Sequence, residues 1–143
     1  MRVITIGTGT RDVVLQGDFF RVVRDPKHLK KAGFPTGEAQ CFALGSGGKI
    51  EIQEPIFALG GGAANAAVTF ARQGFATEAL IKIGRDEIGE ELLGALRKEK
   101  VRPVPIFDKK LGTSYSLILL SPSGERTIFN YRGASKDLVL SEI

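Results

Sequence analysis

Residues 60–74 constrain this chain more than any other stretch. Gly60, Gly61 and Gly62 remove every side chain at one point, and Ala63, Ala64, Asn65, Ala66, Ala67 and Val68 follow as a run of small residues. Small and apolar residues over 62–73 predict a tightly packed helix, and Gly74 is suited to end it. A helix entered through three glycines is expected to present bare main-chain N–H groups at the positive end of its dipole. Read from residues alone, such a turn lets a hydroxyl-rich small molecule approach the backbone, with Asn65 as the polar side chain of the first turn. The competing reading is that the glycines only permit close packing and that Asn65 satisfies backbone groups.

The rest of the chain alternates between strand and helix patterns. Residues 3–8 read as a short strand buried on both faces, and 13–15 and 19–23 as further strands. Residues 24–40 are polar, carry Pro26, Gly33, Pro35 and Gly37, and read as a loop. Residues 41–44 and 49–59 suggest a hairpin around 45–48, its second arm partly exposed because Ile50 and Ile52 alternate with Glu51 and Gln53. Residues 77–83 predict a strand. Asp86 opens a second helix with Ile88, Leu92 and Leu96 on one face, acids near its start and Arg97, Lys98 and Lys100 near its end. A strand over 104–107 follows, then a hairpin of 114–120 with 126–131 around Ser121-Pro122-Ser123-Gly124. Residues 136–143 look like the start of another element. The β–α alternation indicates a mostly parallel sheet covered by helices, and the early insert and later hairpin are suited to a second, smaller sheet.

Composition narrows the function classes. With 143 residues, 43% hydrophobic and 25% charged, the chain suits one modest soluble domain. Cys41 is the only cysteine, so no internal disulfide can form; a buried, inert thiol in a reducing cytoplasm is the expectation. His28, the only histidine, lies in a basic cluster and reads as a surface residue, and no metal-ligand spacing of Cys and His exists. The net charge of +4 comes from short, separated clusters with acids nearby, which reads as a solvated surface and not a nucleic-acid face. The N-terminal β-prone run is too short for a signal peptide, and no apolar run is long enough to span a membrane.

Two nucleotide motifs fail on their physics. Gly7-Thr8-Gly9-Thr10-Arg11-Asp12 starts like a dinucleotide fingerprint, but Asp12 takes the third-glycine position and Val13-Val14-Leu15 replaces the helix. At Gly60 the helix is present, but Asn65 replaces the third glycine. No Gly-Lys-Ser/Thr phosphate loop occurs.

The ordered motifs resemble those of a known family. Gly60-Gly61-Gly62-Ala63-Ala64-Asn65-Ala66-Ala67-Val68 with Ala71-Arg72-Gln73-Gly74 resembles the first signature of the ribokinase-like (PfkB) carbohydrate kinases. Ile83-Gly84-Arg85-Asp86-Glu87-Ile88-Gly89 is similar to the next Gly-x-Asp-x-x-Gly element, and Gly112-Thr113 with Gly124-Glu125-Arg126-Thr127 to the segment after it. Asp12 matches an early aspartate that grips sugar hydroxyls. The resemblance implies an α/β protein, the N-terminal portion of a ribokinase-like three-layer α/β/α fold with a small β-sheet lid. The lid candidates are residues 13–58 and 113–131, within an incomplete domain spanning 1–143. It implies ATP-dependent phosphorylation of a sugar or nucleoside hydroxyl, with Asp12, Gly61, Gly62, Asn65 and Arg132 as substrate-binding residues. Where family members often carry a lysine, this chain has Gly62.

Several residues stay open at this point. Asp86 serves either as the N-cap of its helix or as a substrate contact. Tyr115, Asn130 and Arg132 suit packing or solvent exposure, and Arg132 alternatively suits an anionic or keto-acid substrate. Gly84 and Gly89 read as structural. The family's base lies in a late Gly-Ala-Gly-Asp motif that is not found here; Gly133-Ala134-Ser135-Lys136-Asp137 only echoes it. The resemblance therefore implies a base beyond Ile143, and ATP and Mg2+ used by the complete enzyme but held by no motif in residues 1–143. The chain reads as the N-terminal part of a sugar kinase, inactive and poorly soluble or oligomeric alone, with a homodimer through the lid expected. The alternatives are a non-catalytic sugar-binding module and a dimerisation module derived from the same fold.

Overall fold

The computed structural model describes residues 1–17, 20–33, 38–42, 51–139 and 141; side chains of 20–23 and 38–42 lie outside the description. In chain order the elements are β1 (Arg2–Gly7), β2 (Thr10–Gln16), β3 (Phe20–Arg24), α1 (Pro26–Lys31), β4 (Glu38–Phe42), β5 (Ile56–Gly60), α2 (Gly62–Arg72), β6 (Ala76–Ile83), α3 (Glu87–Lys98), β7 (Val101–Phe107), β8 (Tyr115–Leu120), β9 (Arg126–Tyr131) and a 3-10 turn, Gly133–Asp137. They fall into two compact units. One comprises Met1–Val13, Phe57–Leu117 and Phe129–Ile143, and the other Val14–Ile56 and Ile118–Ile128.

The first unit is built on a parallel sheet of order β1-β6-β7. Its registers place Thr5 beside Ala79 and Leu80 beside Val104. One face is covered by helices. Ala63, Ala64 and Ala67 of α2 and Leu92, Leu93 and Leu96 of α3 pack on Ala79, Ile81, Ile83 and Val101. The alanines hold α2 close to the sheet, and the i, i+4 leucines give α3 its buried stripe. Asp86 caps α3 and accepts from Gly89 N, with Glu87 and Glu90 in the first turn and Arg97 and Lys98 in the last. Arg72 at the end of α2 grips Glu99 beyond α3 through two hydrogen bonds of 2.8 and 2.7 Å. Gly74 follows α2 with φ +89°, as its position predicts.

The other face corrects an expectation. The strand over 3–8 is not buried on both faces: Ile4 and Ile6 are 59% and 52% exposed. Side chains alternate along a strand, and α2 and α3 cover only the Thr5 side. On the Ile4 side, Glu78 of the central strand is bridged by Arg2 at 2.8 Å and Arg102 at 2.6 Å. Its hydrogen bond from Arg102, before that from Arg2, holds this carboxyl below the usual range against the opposing pull of burial.

In the second unit β3 and β4 pair antiparallel, Phe20 opposite Phe42 and Arg24 opposite Glu38. The loop expected over 24–40 contains α1 and the start of β4. Asp25 caps α1 by accepting from His28 N, Pro26 stands in its first turn, and none of its residues is buried. With no buried face, its six residues carry no apolar period to read. His28 is at the surface, its Nδ1 2.7 Å from Asp25 Oδ2. The expected hairpin of 41–44 with 49–59 is also corrected. β4 pairs with β3, residues 51–55 form no strand, and β5 starts only after Pro55; residues 43–50 lie outside the described residues. Cys41 is in β4, and its side chain lies outside the described residues.

The remaining sheet has the order β5-β2-β8-β9. The β8–β9 hairpin is the one expected from sequence. Its turn is closed by Gly124 N and Ser121 O at 2.9 Å, with Gly124 at φ +87°. The element expected over 136–143 begins earlier, as the 3-10 turn from Gly133.

Candidate functional site

The start of α2 is closed from within. Thr8, in the turn after β1, accepts Ala63 N at 3.1 Å and Ala64 N at 3.3 Å on its carbonyl. Its hydroxyl accepts Gly62 N at 3.0 Å across 54 residues of sequence. Asn65 N bonds to Gly61 O at 2.9 Å as an ordinary helical donor. The bare N–H groups expected at this helix are therefore occupied, because the glycines let the helix start settle onto the β1–β2 turn. Gly61 makes this contact possible. It sits at φ +92°, and a side-chain carbon there would stand 2.7 Å from the Thr8 carbonyl carbon and 2.8 Å from Gly9 Cα.

Asp12 lies beside the same glycines. It is in β2, half-buried, and its carboxylate covers Gly60: a Cβ on Gly60 would meet Asp12 Cγ at 2.6 Å. The carboxylate thus occupies the space that Gly60 vacates. Gly62 is exposed, and a Cβ there would have only Thr8 Oγ1 at 4.0 Å, so no steric reason keeps a side chain off it. Strand alternation sends Arg11 to the other face of β2, where it pairs with Glu91 and its guanidinium lies 4.6 Å over the Phe57 ring. The β1–β2 turn is fixed from its far side by Ser114. Its hydroxyl donates to Gly9 O at 2.7 Å, and its carbonyl accepts Arg11 N at 3.1 Å.

Asn65 and Arg132 stand apart from this group. Asn65 is exposed in the first turn of α2 and lines a groove with Leu59, Thr69, Arg72, Ala95 and Lys98; Asp12 is not in its walls. Arg132 is exposed at the head of the 3-10 turn, where its carbonyl accepts both the amide and the hydroxyl of Ser135. Beside it, the Tyr131 and Tyr115 rings meet at a tilt of 41° with centroids 5.4 Å apart.

Asp86 is the N-cap, and it does more than cap. Besides Gly89 N at 2.8 Å, its carboxylate accepts Thr113 N at 2.7 Å and Thr113 Oγ1 at 2.6 Å. Thr113 Oγ1 in turn accepts Gly84 N at 3.0 Å. Desolvation pushes the Asp86 carboxyl up, but the hydrogen bonds from Thr113 and Gly89 outweigh it and hold the group below its ordinary value. Gly84 and Gly89 are structural. A Cβ on Gly84 would meet Gly112 Cα at 2.7 Å, and one on Gly89 would meet Thr113 Oγ1 at 2.9 Å.

Thr8 and Ser114 escape sequence reasoning altogether, since each acts on a segment dozens of residues away and no local pattern marks it. Among the described residues no cluster of three or more His, Cys, Asp or Glu is placed to hold a metal ion. The first amides of α2 are taken by Thr8, and Gly89 N of α3 by Asp86, so the α2 terminus offers a phosphate no free N–H groups. The closed start of α2 therefore does not fit the phosphates of ATP. Among the described residues no helix is long and apolar enough to cross a membrane.

Comparison with known proteins gives a consistent result. Residues 37–143 match the pattern of the "pfkB family carbohydrate kinase". Fructokinase-2 of Zea mays is 35% identical over 88 residues, covering 61% of this chain and 26% of that protein. The structure of ribokinase from Giardia lamblia superposes with a TM-score of 0.72 at 22% identity, covering 99% of this chain and 39% of that one. The fructokinase of Halothermothrix orenii superposes with a TM-score of 0.66 at 21% identity, covering 97% and 40%. The chain spans about a quarter of the length of the curated relatives it matches.

Proposed function

Since this chain belongs to the pfkB family of carbohydrate kinases and has the ribokinase-like α/β fold, we propose that it is the N-terminal, sugar-binding part of an ATP-dependent sugar kinase. The observation that carries the reading is the Asp12 carboxylate packed over Gly60, next to the strained backbone of Gly61. A carboxylate accepts hydrogen bonds from adjacent sugar hydroxyls, and glycines let the ring approach main chain. Gly62 belongs to the same surface. Asn65 and Arg132 are assigned to substrate as further polar contacts, Arg132 as a donor of several N–H groups to hydroxyl or carboxylate oxygens. A nucleoside is the alternative acceptor.

The phosphoryl-donor side is assigned to residues outside 1–143. The share of the relatives' length covered here supports this, as does the closed start of α2, which offers a phosphate no free N–H groups. ATP and Mg2+ would supply the phosphoryl group and neutralise its charge in the complete enzyme. What this chain does is hold and orient the acceptor. The lid is assigned to residues 13–58 and 113–131, and a homodimer through it is supported by exposed Ile128 and Phe129 on the edge strand β9. Sedimentation of the chain with Ile128→Lys checks the dimer, whose expected outcome is a shift to monomer.

Calorimetric titration of the chain with D-fructose and D-ribose tests the main reading. Saturable binding of one of them is expected, weakened about 10-fold or more in Asp12→Ala by loss of charge-assisted hydrogen bonds. No phosphorylated sugar should form when ATP and Mg2+ are added to this chain. Equal affinity in wild type and Asp12→Ala would remove Asp12 from the site, and turnover by the chain alone would overturn the division of labour.

A further inference from the structure

An N-cap needs one oxygen, and Asp86 uses two. Capping of α3 is complete with the bond from Gly89 N to Oδ1. Oδ2 takes Thr113 N at 2.7 Å, and Oδ1 also takes the Thr113 hydroxyl at 2.6 Å. Serine or threonine would cap as well but would not reach both groups. The surplus is spent on the loop before β8. From there the contacts continue without a gap. Gly112 O accepts Ala134 N at 2.8 Å. Gly133, at φ +46°, lies so close that a side-chain carbon would meet Tyr131 Cε1 at 2.8 Å and the Gly112 carbonyl carbon at 3.2 Å. Arg132 is bracketed by residues fixed in this way.

We infer that Asp86 is a positioning residue: through Thr113 and Gly112 it sets the Tyr131–Ala134 segment and so the direction in which Arg132 is presented to substrate. This rests on the assignment of Arg132 to sugar binding made above. Asp86 itself touches no substrate in this scheme; it acts through a two-step relay of backbone contacts.

The chain carries its own reporter. It has no Trp and only two Tyr, and both tyrosines sit in the ring pair beside Arg132. Near-ultraviolet circular dichroism in the tyrosine band therefore reads this segment selectively, while the far-ultraviolet signal reads the helices. The variants are Asp86→Ser, which keeps a cap but drops the bonds to Thr113, and Thr113→Val, with Thr113→Ser as the conservative rescue. Asp86→Ser and Thr113→Val are expected to lose about half or more of the tyrosine band with an unchanged far-ultraviolet spectrum. Their D-fructose affinity should fall about 5- to 10-fold. Thr113→Ser should restore both. A wild-type tyrosine band in Asp86→Ser and Thr113→Val overturns the inference. So does a lost band with unchanged affinity, if Arg132→Ala weakens binding. If Arg132→Ala leaves affinity unchanged, the assignment of Arg132 fails instead, and the tyrosine band alone upholds or overturns the positioning of the segment.

Discussion

The two helix starts of the first unit are built from similar glycine-rich turns and closed in opposite ways. α2 is closed by a residue it does not own: Thr8 reaches it from the β1–β2 turn with one carbonyl and one hydroxyl, both neutral. α3 is closed by its own Asp86, a carboxylate that also binds Thr113. The first arrangement leaves Gly62 exposed, with Gly60 covered by the Asp12 carboxylate. The second fills its space, with Gly84 and Gly89 packed too tightly for a side chain. Glycine before a helix therefore has two uses in one small domain. At α2 it lets the helix start settle on the β1–β2 turn, and at α3 it allows a joint with the loop before β8.

If the α2 start depends on the backbone shape of Gly61, Gly61→Val should be the most damaging change. It combines a forced positive φ with a collision against the Thr8 main chain, and a loss of about 4 kcal/mol or more is expected in denaturant unfolding. A loss under about 1 kcal/mol would mean that the turn can shift and that its closure is not tight. Asp86→Ala comes next, at about 2–3 kcal/mol, since it removes a cap and leaves two Thr113 donors without their acceptor. Thr8→Val should cost about 1 kcal/mol, because the hydroxyl bond to Gly62 N goes while the two carbonyl bonds stay. If Thr8→Val proves worse than Asp86→Ala, the contrast between a shared and an owned cap is wrong.

The smallest effect is on acid stability. The Asp86 carboxyl is held below its ordinary value, so its contribution is present above the unfolded-state value and is lost as pH falls through the folded one. The stability gap between wild type and Asp86→Ser should accordingly be widest near neutrality and close toward pH ~2. A gap that stays constant across that range would show that the contrast of charged and neutral caps has no energetic content.

Most of the first unit was legible in the sequence because its signals are local. The leucine spacing of α3, the helix start at Asp86 and the stop at Gly74 each lie within a few residues of what they determine, as does the β8–β9 turn in the second unit. The misreadings arose where a partner is distant or periodicity is absent. The occupied N–H groups of α2 depend on Thr8, which no window around Gly60 contains. α1 has no buried face and so no apolar period. The exposure of Ile4 and Ile6 depends on which face the helices cover, and an isoleucine-rich strand reads the same either way. At the candidate site, the motif brought Asp12 and Gly60 to attention separately, but that a carboxylate fills the volume of a missing side chain is a three-dimensional fact. Asn65 is exposed in the first turn of the same helix, where it lines a groove with Ala95 and Lys98 of α3.

The parallel pairing of β1 with β6 has a consequence for the order of events during synthesis. β1 leaves the ribosome first and can neither pair nor help seal α2 until those later segments emerge. At about 5–20 residues per second, the roughly 70 residues between β1 and β6 take about 4–14 s to appear. Throughout that interval the Ile4–Ile6 strand is a nascent apolar segment with both edges open, and Thr8 has no helix to close. Helix α2, for its part, emerges complete before β6 and can draw β1 back as soon as it forms, since its contacts with the β1–β2 turn need no other strand. The glycine turn is thus a long-range clasp that the growing chain can make before the central strand β6 has emerged.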